Sequence, residues 1–307
     1  MMNWEKLGLV YEPEKNNDWK FSSALTPTPF VMNDRIRVYA GFRDAEGVSR
    51  IGYADLDKND PRKVLNVSEK PVLDTGKPGT FDDNGLIMGD VITVGDKVYL
   101  YYVGFQLVKG VKFLAFTGLA ISDDGGDSFT KRSEVPVVDR TEEAHFINAV
   151  HTVLYENGKF RFWLGAGSSW ETINGISYPS YNVKYLESAD GIHFTDKAID
   201  CINFSRRGEY RVGRPRVYRT DSGYEVMFTW GDLEGNYRMG YAVSADGLNW
   251  ERNDDEVNFH PSPEGWDNKW VSYGALFNTN GDTYMVYNGN EMGKDGFGLA
   301  RLNREKK

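Results

Sequence analysis

Apolar residues in this chain come in short runs of five to nine, rich in aromatic and β-branched side chains. The runs are cut by Gly, Asn and Asp, with no sustained spacing of three and four. Strands and tight turns produce that pattern, and helices do not. One phrase recurs: RIRVYAGF (35–42), KVYLYYVGF (97–105), KFRFWLGAG (159–167), GYEVMFTWG (223–231) and DTYMVYNGN (282–290). A second follows each first: RIGYADLD (50–57), FTGLAISDD (116–124), VKYLESAD (183–190), MGYAVSAD (239–246) and FGLARLN (297–303). Aromatic markers in the first set are Tyr39, Tyr102, Trp163, Phe228 and Tyr287, and both sets repeat about every 60 residues.

Each repeat offers four short strands, in the fourth repeat Arg214–Tyr218, Tyr224–Thr229, Tyr237–Ser244 and Asn249–Arg252. Four antiparallel strands per repeat, five times over, predict an all-β, five-bladed β-propeller formed by residues 1–307 as one domain. Outer strands are expected within 129–139 and 250–261. The last repeat stops near Asn303 without one. Residues 4–13, WEKLGLVYEP, have the same look and are expected to supply it, closing the ring and removing an open sheet edge. Residues 304–307 are expected to form a frayed tail.

Composition agrees with strands: 14% aromatic residues and 33 Gly. The net charge of −9 and the lack of a basic stripe exclude a nucleic-acid partner. The single cysteine, Cys201, allows no internal disulfide. No run is long and apolar enough for a membrane span or a signal peptide, so the expected location is cytoplasmic. No His or Cys spacing suggests a metal, and no strand–Gly-loop–helix unit suggests a nucleotide, so no cofactor is expected.

In a propeller, ligands sit at one mouth of the channel, among the segments entering the inner strands and those joining second to third strands. Those segments gather Arg43, Asp44, Asp82, Asp83, His151, Trp170, Glu209, Arg211, Arg214, Trp266, Asp267 and Tyr273. Carboxylates, arginines and aromatic faces around one funnel suit a sugar: carboxylates accept from hydroxyls, and rings cover C–H faces. The expected catalytic groups are Asp83 and Glu209 as an acid–base pair, with Asp44 tuning charge. Arg43, His151, Trp170, Arg211, Arg214, Trp266, Asp267 and Tyr273 are the expected sugar-binding groups. Each has a structural alternative: Arg43-Asp44 as an ion pair, Asp82-Asp83 as turn caps, Glu209 paired with Arg214 or Arg211, His151 as a core histidine, Trp266-Asp267 as a packed corner. Asp190 and Asp246, in Ser-x-Asp-Gly turns, are expected to be turn residues.

The repeats, the Arg43-Asp44 pair, the RPRV stretch (214–217) and GWDNKW…YMVYNGNEMGKDGFGLA resemble the five-bladed propeller glycosidase superfamily, which includes glycoside hydrolase families 43, 32, 68 and 130. The resemblance runs closest to small cytoplasmic glycosidase-like proteins of bacterial surface-polysaccharide biosynthesis. It implies a carbohydrate-active protein acting on an intracellular small sugar or oligosaccharide, and the planar forks of Arg43, Arg211 and Arg214 suit an acidic or phosphorylated group on that sugar. The usual acidic triad is not carried over: its slots read Thr28-Pro29, Val150-His151 and Gly213-Arg214-Pro215. Three functions stay open: glycoside hydrolysis, phosphorolysis or transfer with Arg214, Arg211 and His151 holding phosphate, and glycan binding without catalysis.

Overall fold

The structure is a computed structural model and describes residues 1–15 and 18–303. Residues 304–307, expected as a tail, lie outside the described residues. Among the described residues the chain runs through twenty strands. β1 (Trp4–Tyr11) comes first. Then follow β2 (Ser22–Val31), β3 (Arg35–Arg43), β4 (Ser49–Asp57) and β5 (Val64–Val67). The next four are β6 (Leu86–Val94), β7 (Lys97–Gln106), β8 (Leu114–Ser122) and β9 (Thr130–Lys131). After them come β10 (Ile147–Glu156), β11 (Lys159–Ile173), β12 (Ile176–Ser188) and β13 (Ile199–Ile202). A fourth set is β14 (Glu209–Thr220), β15 (Gly223–Asp232), β16 (Tyr237–Ser244) and β17 (Glu251–Arg252). The chain ends with β18 (Ser272–Thr279), β19 (Asp282–Asn288) and β20 (Phe297–Leu302).

Pairing within each set is antiparallel and follows chain order. In the last set the fourth place is taken by β1, which pairs with β20 from Trp4–Leu302 to Tyr11–Phe297. The first strands of the sets touch in sequence, β2 with β6, β6 with β10, β10 with β14 and β14 with β18, and β18 also touches β2. The apolar core is divided the same way, into clusters lying between successive sets. One of them joins Ile36, Val38 and Phe42 of the first set to Phe277, Val286 and Phe297 of the last.

The outer strands are shorter than the sequence suggested. β9 and β17 have two residues each. Pro136 cannot donate to a ladder, and Asp254–Val257 coils into one 3-10 turn. The reverse holds for β11 and β12. Residues 165–171, expected to be a loop, instead continue pairing as a long hairpin to Ile173–Ile176.

The Ser-x-Asp-Gly turns bind the second, third and fourth sets to their predecessors. Tyr39 donates its hydroxyl to the carbonyl of Gly126, Tyr101 to Gly191, and the Trp163 indole to Gly247, at 2.7, 2.9 and 2.8 Å. A Cβ at Gly191 would lie 2.6 Å from the Tyr101 hydroxyl, and its φ is +76°. Only glycine fits so close a contact in that backbone conformation.

Candidate functional site

Each first strand carries a bulge at an equivalent position, and β2 and β14 carry a second one nearer their starts. Register shifts fall at Thr26, Gly89, His151, Arg214 and Tyr273. A bulge re-aims a side chain out of the ladder. Thr26, Arg214 and Tyr273 hold positive φ of 50°, 53° and 59°, a strained choice for such residues. These residues meet where the first strands converge.

Arg214 occupies the centre. One of its terminal nitrogens donates to the carbonyls of Met88 and Gly89, at 2.6 and 2.9 Å, and lies 3.1 Å from Nδ1 of His151. The other donates to the Thr26 carbonyl and the Thr28 hydroxyl. One side chain thus ties β2, β6 and β10 to β14. A guanidinium cannot accept, so Nδ1 of His151 accepts and its proton sits on Nε2. Burial, then the charges of Arg214 and Arg216, push the His151 pKa well below its ordinary value and keep the ring neutral. Arg216 donates to Asp90 and to the His151 carbonyl, both at 2.7 Å.

A cavity of about 390 Å³ lies against this cluster. Its polar lining includes Thr26, Arg43, Ser49, Asn84, Lys112, His151, Ser177, Tyr178, Tyr181, Arg211, Arg214 and Tyr273. Ile87, Val103, Phe105, Phe113, Ala115 and Ile147 form an apolar wall. Among the described residues the lining holds no Asp or Glu. Arg211 lies among the rings of Tyr237, Tyr210 and Tyr178, 4.2, 5.0 and 5.6 Å from their centres. The hydroxyl of Tyr237 donates to that of Tyr273 at 2.8 Å, leaving the Tyr273 proton free to point elsewhere. A larger cleft of about 730 Å³ lies between β9 and β13; its Lys197 is paired with Glu142 and Glu143.

Five of the expected residues are therefore brought together: Arg43, His151, Arg211, Arg214 and Tyr273. The expected catalytic carboxylates Asp44, Asp83 and Glu209 are not in this lining and have other partners. Glu209, with no exposed side-chain surface, is gripped by both terminal nitrogens of Arg252 on β17 at 2.9 and 3.0 Å. Asp44 pairs with Arg50 at 2.7 Å and accepts the amides of Glu46 and Val48. Burial raises its pKa, but the Arg50 contact and these amides outweigh burial and lower it. Asp83 accepts the Gly79 amide at 2.8 Å and caps a turn.

Trp170, Trp266 and Asp267, expected to bind substrate, also lie outside this lining. Asp267 accepts from Lys6 on β1 and from the Tyr287 hydroxyl. Trp266 packs on Tyr287, with ring centres 5.1 Å apart. Trp170 meets Phe113 and Phe146 edge-on behind the cavity wall.

Asp82, Glu209 and Asp267 share one job. In the second set Asp82 accepts from the Tyr102 hydroxyl and pairs with Lys131 on β9. In the last set Asp267 does the same with Tyr287 and Lys6. In the fourth set Glu209 takes Arg252, whose guanidinium lies over Phe228. An acidic residue entering the first strand is tied to a cation on the fourth, beside the marker aromatic of the second. Lys6 fills on β1 the place that Lys131 fills on β9.

The sequence reading missed Thr26, Lys112, Ser177, Tyr178 and Tyr181. Thr26 was legible as the counterpart of Arg214 within the repeat. The alternation Ser177-Tyr178-Pro179-Ser180-Tyr181 was the signal for a strand that continues over the cavity.

No family model matches the chain. Its fold is that of the propeller glycosidases of families 43 and 130. A glycosyl hydrolase from Bacteroides ovatus superposes with a TM-score of 0.74 at 15% identity, over 100% of this chain and 94% of that one. A thermostable family-43 glycoside hydrolase gives 0.69 at 17%, over 95% and 93%. A β-1,2-mannobiose phosphorylase from Listeria innocua, in complex with β-1,2-mannobiose, gives 0.71 at 14%, over 98% and 97%. In sequence the chain belongs to the family of "Uncharacterized protein Rv1502" of Mycobacterium tuberculosis, with which it is 32% identical over 302 residues, 98% of this chain and 99% of that protein.

Among the described residues no helix is long and apolar enough to cross a membrane.

Proposed function

We propose that the protein is a carbohydrate-active propeller that recognises its saccharide without the carboxylate pair of a hydrolase. The observation that carries this is the lining of the cavity: arginine, lysine, tyrosine and phenylalanine, with no Asp or Glu among the described residues. Glycoside hydrolysis places two carboxyl groups roughly 5–10 Å apart across one bond. Glu209 and Asp83 are both outside this lining, and Glu209 is committed to Arg252. Tyrosine faces and hydroxyl donors remain, and they suit a pyranose ring.

The reading includes a single domain of five blades around one channel, closed by β1. The contact of β18 with β2 and the pairing of β1 with β20 support it. Neighbours of the same fold include a protein described as a mannobiose phosphorylase in complex with its disaccharide, which supports a sugar as the ligand. Transfer to phosphate is the second reading, favoured by the unpaired arginines. Against it, Arg214 has spent its terminal donors on strands, and among the described residues no carboxylic acid lines the cavity to protonate a leaving oxygen. The resemblance supports an intracellular sugar of bacterial surface-polysaccharide metabolism, and the arginine forks support an acidic or phosphorylated group on it.

The test is a glycan-binding screen of the whole protein beside mass-spectrometric detection of products, with and without phosphate. Retention of a saccharide without product is expected. Product formation abolished by Asp83→Asn or Glu209→Gln in a folded protein would overturn the reading.

A further inference from the structure

The arginines that line the cavity are unusual in what they lack. Among the described residues, neither Arg43 nor Arg211 forms an ion pair, and the Nε of each is buried with no hydrogen-bond partner. Arg211 is only 7% exposed. Arg214 gives its protons to carbonyls and a hydroxyl and forms no ion pair among the described residues; the carboxylate that acts on it, Asp90, is already paired with Arg216. Lys112 adds a further positive charge at the wall. Burying guanidinium groups without counter-charge is unfavourable, and a bound anion removes that penalty. The tyrosine faces around Arg211 hold the cation in place but do not neutralise it.

The position of Tyr273 locates the anion. Its ring lies in the field of Arg43, Arg211 and Arg214 alike. Its oxygen already accepts from Tyr237, so its own proton is available to an acceptor in the cavity. Two unpaired guanidinium forks and one hydroxyl donor match an acceptor with three oxygens and two charges better than a planar monoanion.

We propose that the cavity selects a sugar phosphate, with the dianionic monoester held by Arg43, Arg211 and the Tyr273 hydroxyl and the sugar body set against the wall of Phe105 and Phe113. This deepens the saccharide reading and rests on it. It also predicts a pH dependence that comes from the ligand. The titratable or charged groups facing the anion are Arg43, Lys112, His151, Tyr178, Tyr181, Arg211, Arg214, Tyr237 and Tyr273. Burial keeps His151 neutral and holds the Tyr237 and Tyr273 hydroxyls above their ordinary range, so the pH dependence expected between pH 5.2 and 7.2 is that of the ligand. A phosphate monoester loses its second proton near pH 6.

The experiment is calorimetric titration of the full chain at pH 5.2 and 7.2. The probes are hexose 1- and 6-phosphates, the corresponding uronic acids, the neutral hexoses, inorganic phosphate and sulfate. Sugar phosphates are expected to bind tighter than every other probe, with affinity rising about fivefold to tenfold from pH 5.2 to 7.2, while sulfate stays flat. Arg43→Gln and Arg211→Gln are each expected to weaken sugar phosphate at least tenfold. Neutral hexose should keep its weak binding, and thermal unfolding of Arg43→Gln should match wild type.

Uronic acids that bind as tightly, with no pH dependence, would overturn the phosphate assignment and leave a carboxylate site. Neutral sugars that bind as well as the phosphates, unaffected by Arg43→Gln, would overturn the anion subsite while the saccharide reading stands. Inorganic phosphate binding as tightly as any sugar phosphate would overturn the saccharide reading while the anion subsite stands. No binding by any probe would overturn both.

Discussion

Replacing Glu209 by Gln separates a structural carboxylate from a catalytic one. The side chain has no exposed surface and is held by both terminal nitrogens of Arg252 and by the Ser205 amide at 2.8 Å. Glutamine keeps the volume but removes the charge, and its amide turns one acceptor into a donor facing Arg252. Removing one partner from a buried pair costs about 3–5 kcal/mol. Arg252 keeps Asp254 at 2.6 Å, which places the expected loss at the lower end, about 3 kcal/mol. With an unfolding entropy near 2.1 cal/mol/K per residue, that lowers the melting temperature by roughly 5 °C. Thermal denaturation followed by circular dichroism measures this, and calorimetry on the folded variant measures ligand affinity. The expected result is a lower melting temperature with unchanged affinity, since Glu209 does not line the cavity. A variant that melts with wild type yet loses turnover or affinity would refute the reasoning and return Glu209 to the site.

Other substitutions test neighbouring parts of the structure. Gly191→Ala should cost about 1–3 kcal/mol in urea unfolding, because the new Cβ meets the Tyr101 hydroxyl at a residue with positive φ; Tyr101→Phe should cost about 1 kcal/mol, the value of one hydrogen bond. Arg214→Met should be among the most damaging single changes, leaving the carbonyls of Thr26, Met88 and Gly89 without their donor, which limited proteolysis would register as early cutting. The buried neutral His151 makes stability depend on pH. Its folded pKa lies below the unfolded value, so the unfolded chain takes up the proton first, and stability present above about pH 6.5 is lost as pH falls. That slope approaches about 1.4 kcal/mol per pH unit below 6.5; His151→Gln should flatten urea-unfolding free energies between pH 6.5 and 5.5 relative to wild type.

The fold was legible because it repeats. Tyr39, Trp163 and Tyr287 recur in equivalent strands, and the structure uses them to bind neighbouring sets or to cover a buried carboxylate. The N-terminal strand was legible from the want of a fourth strand after Phe297–Leu302. The site was harder to read because charge in a strand-entering segment has several possible destinations. The stretch GEYRVGRPRVY shows the range. Glu209 turns outward to Arg252, Arg211 stands among tyrosines in the cavity, Arg214 ties four strands together, and Arg216 is neutralised by Asp90. Alternation along the strand does not separate these fates, because the bulge at Arg214 shifts the phase halfway through.

The bulges explain why one fold can carry a site of such different charge. Each first strand contributes one re-aimed residue to a common point, and the surrounding ladder holds it there whatever its chemistry. In this chain the five positions carry threonine, glycine, histidine, arginine and tyrosine. Carboxylates were conspicuous in the sequence because they sit beside these positions, but their role recurs at Asp82, Glu209 and Asp267: each ties the start of a first strand to the cation of a fourth. With negative charge held in those ties, Arg43, Arg211 and Arg214 form no ion pair among the described residues. The anion they lack must come from the ligand, and this is why the selectivity of the cavity for charge is its most direct test.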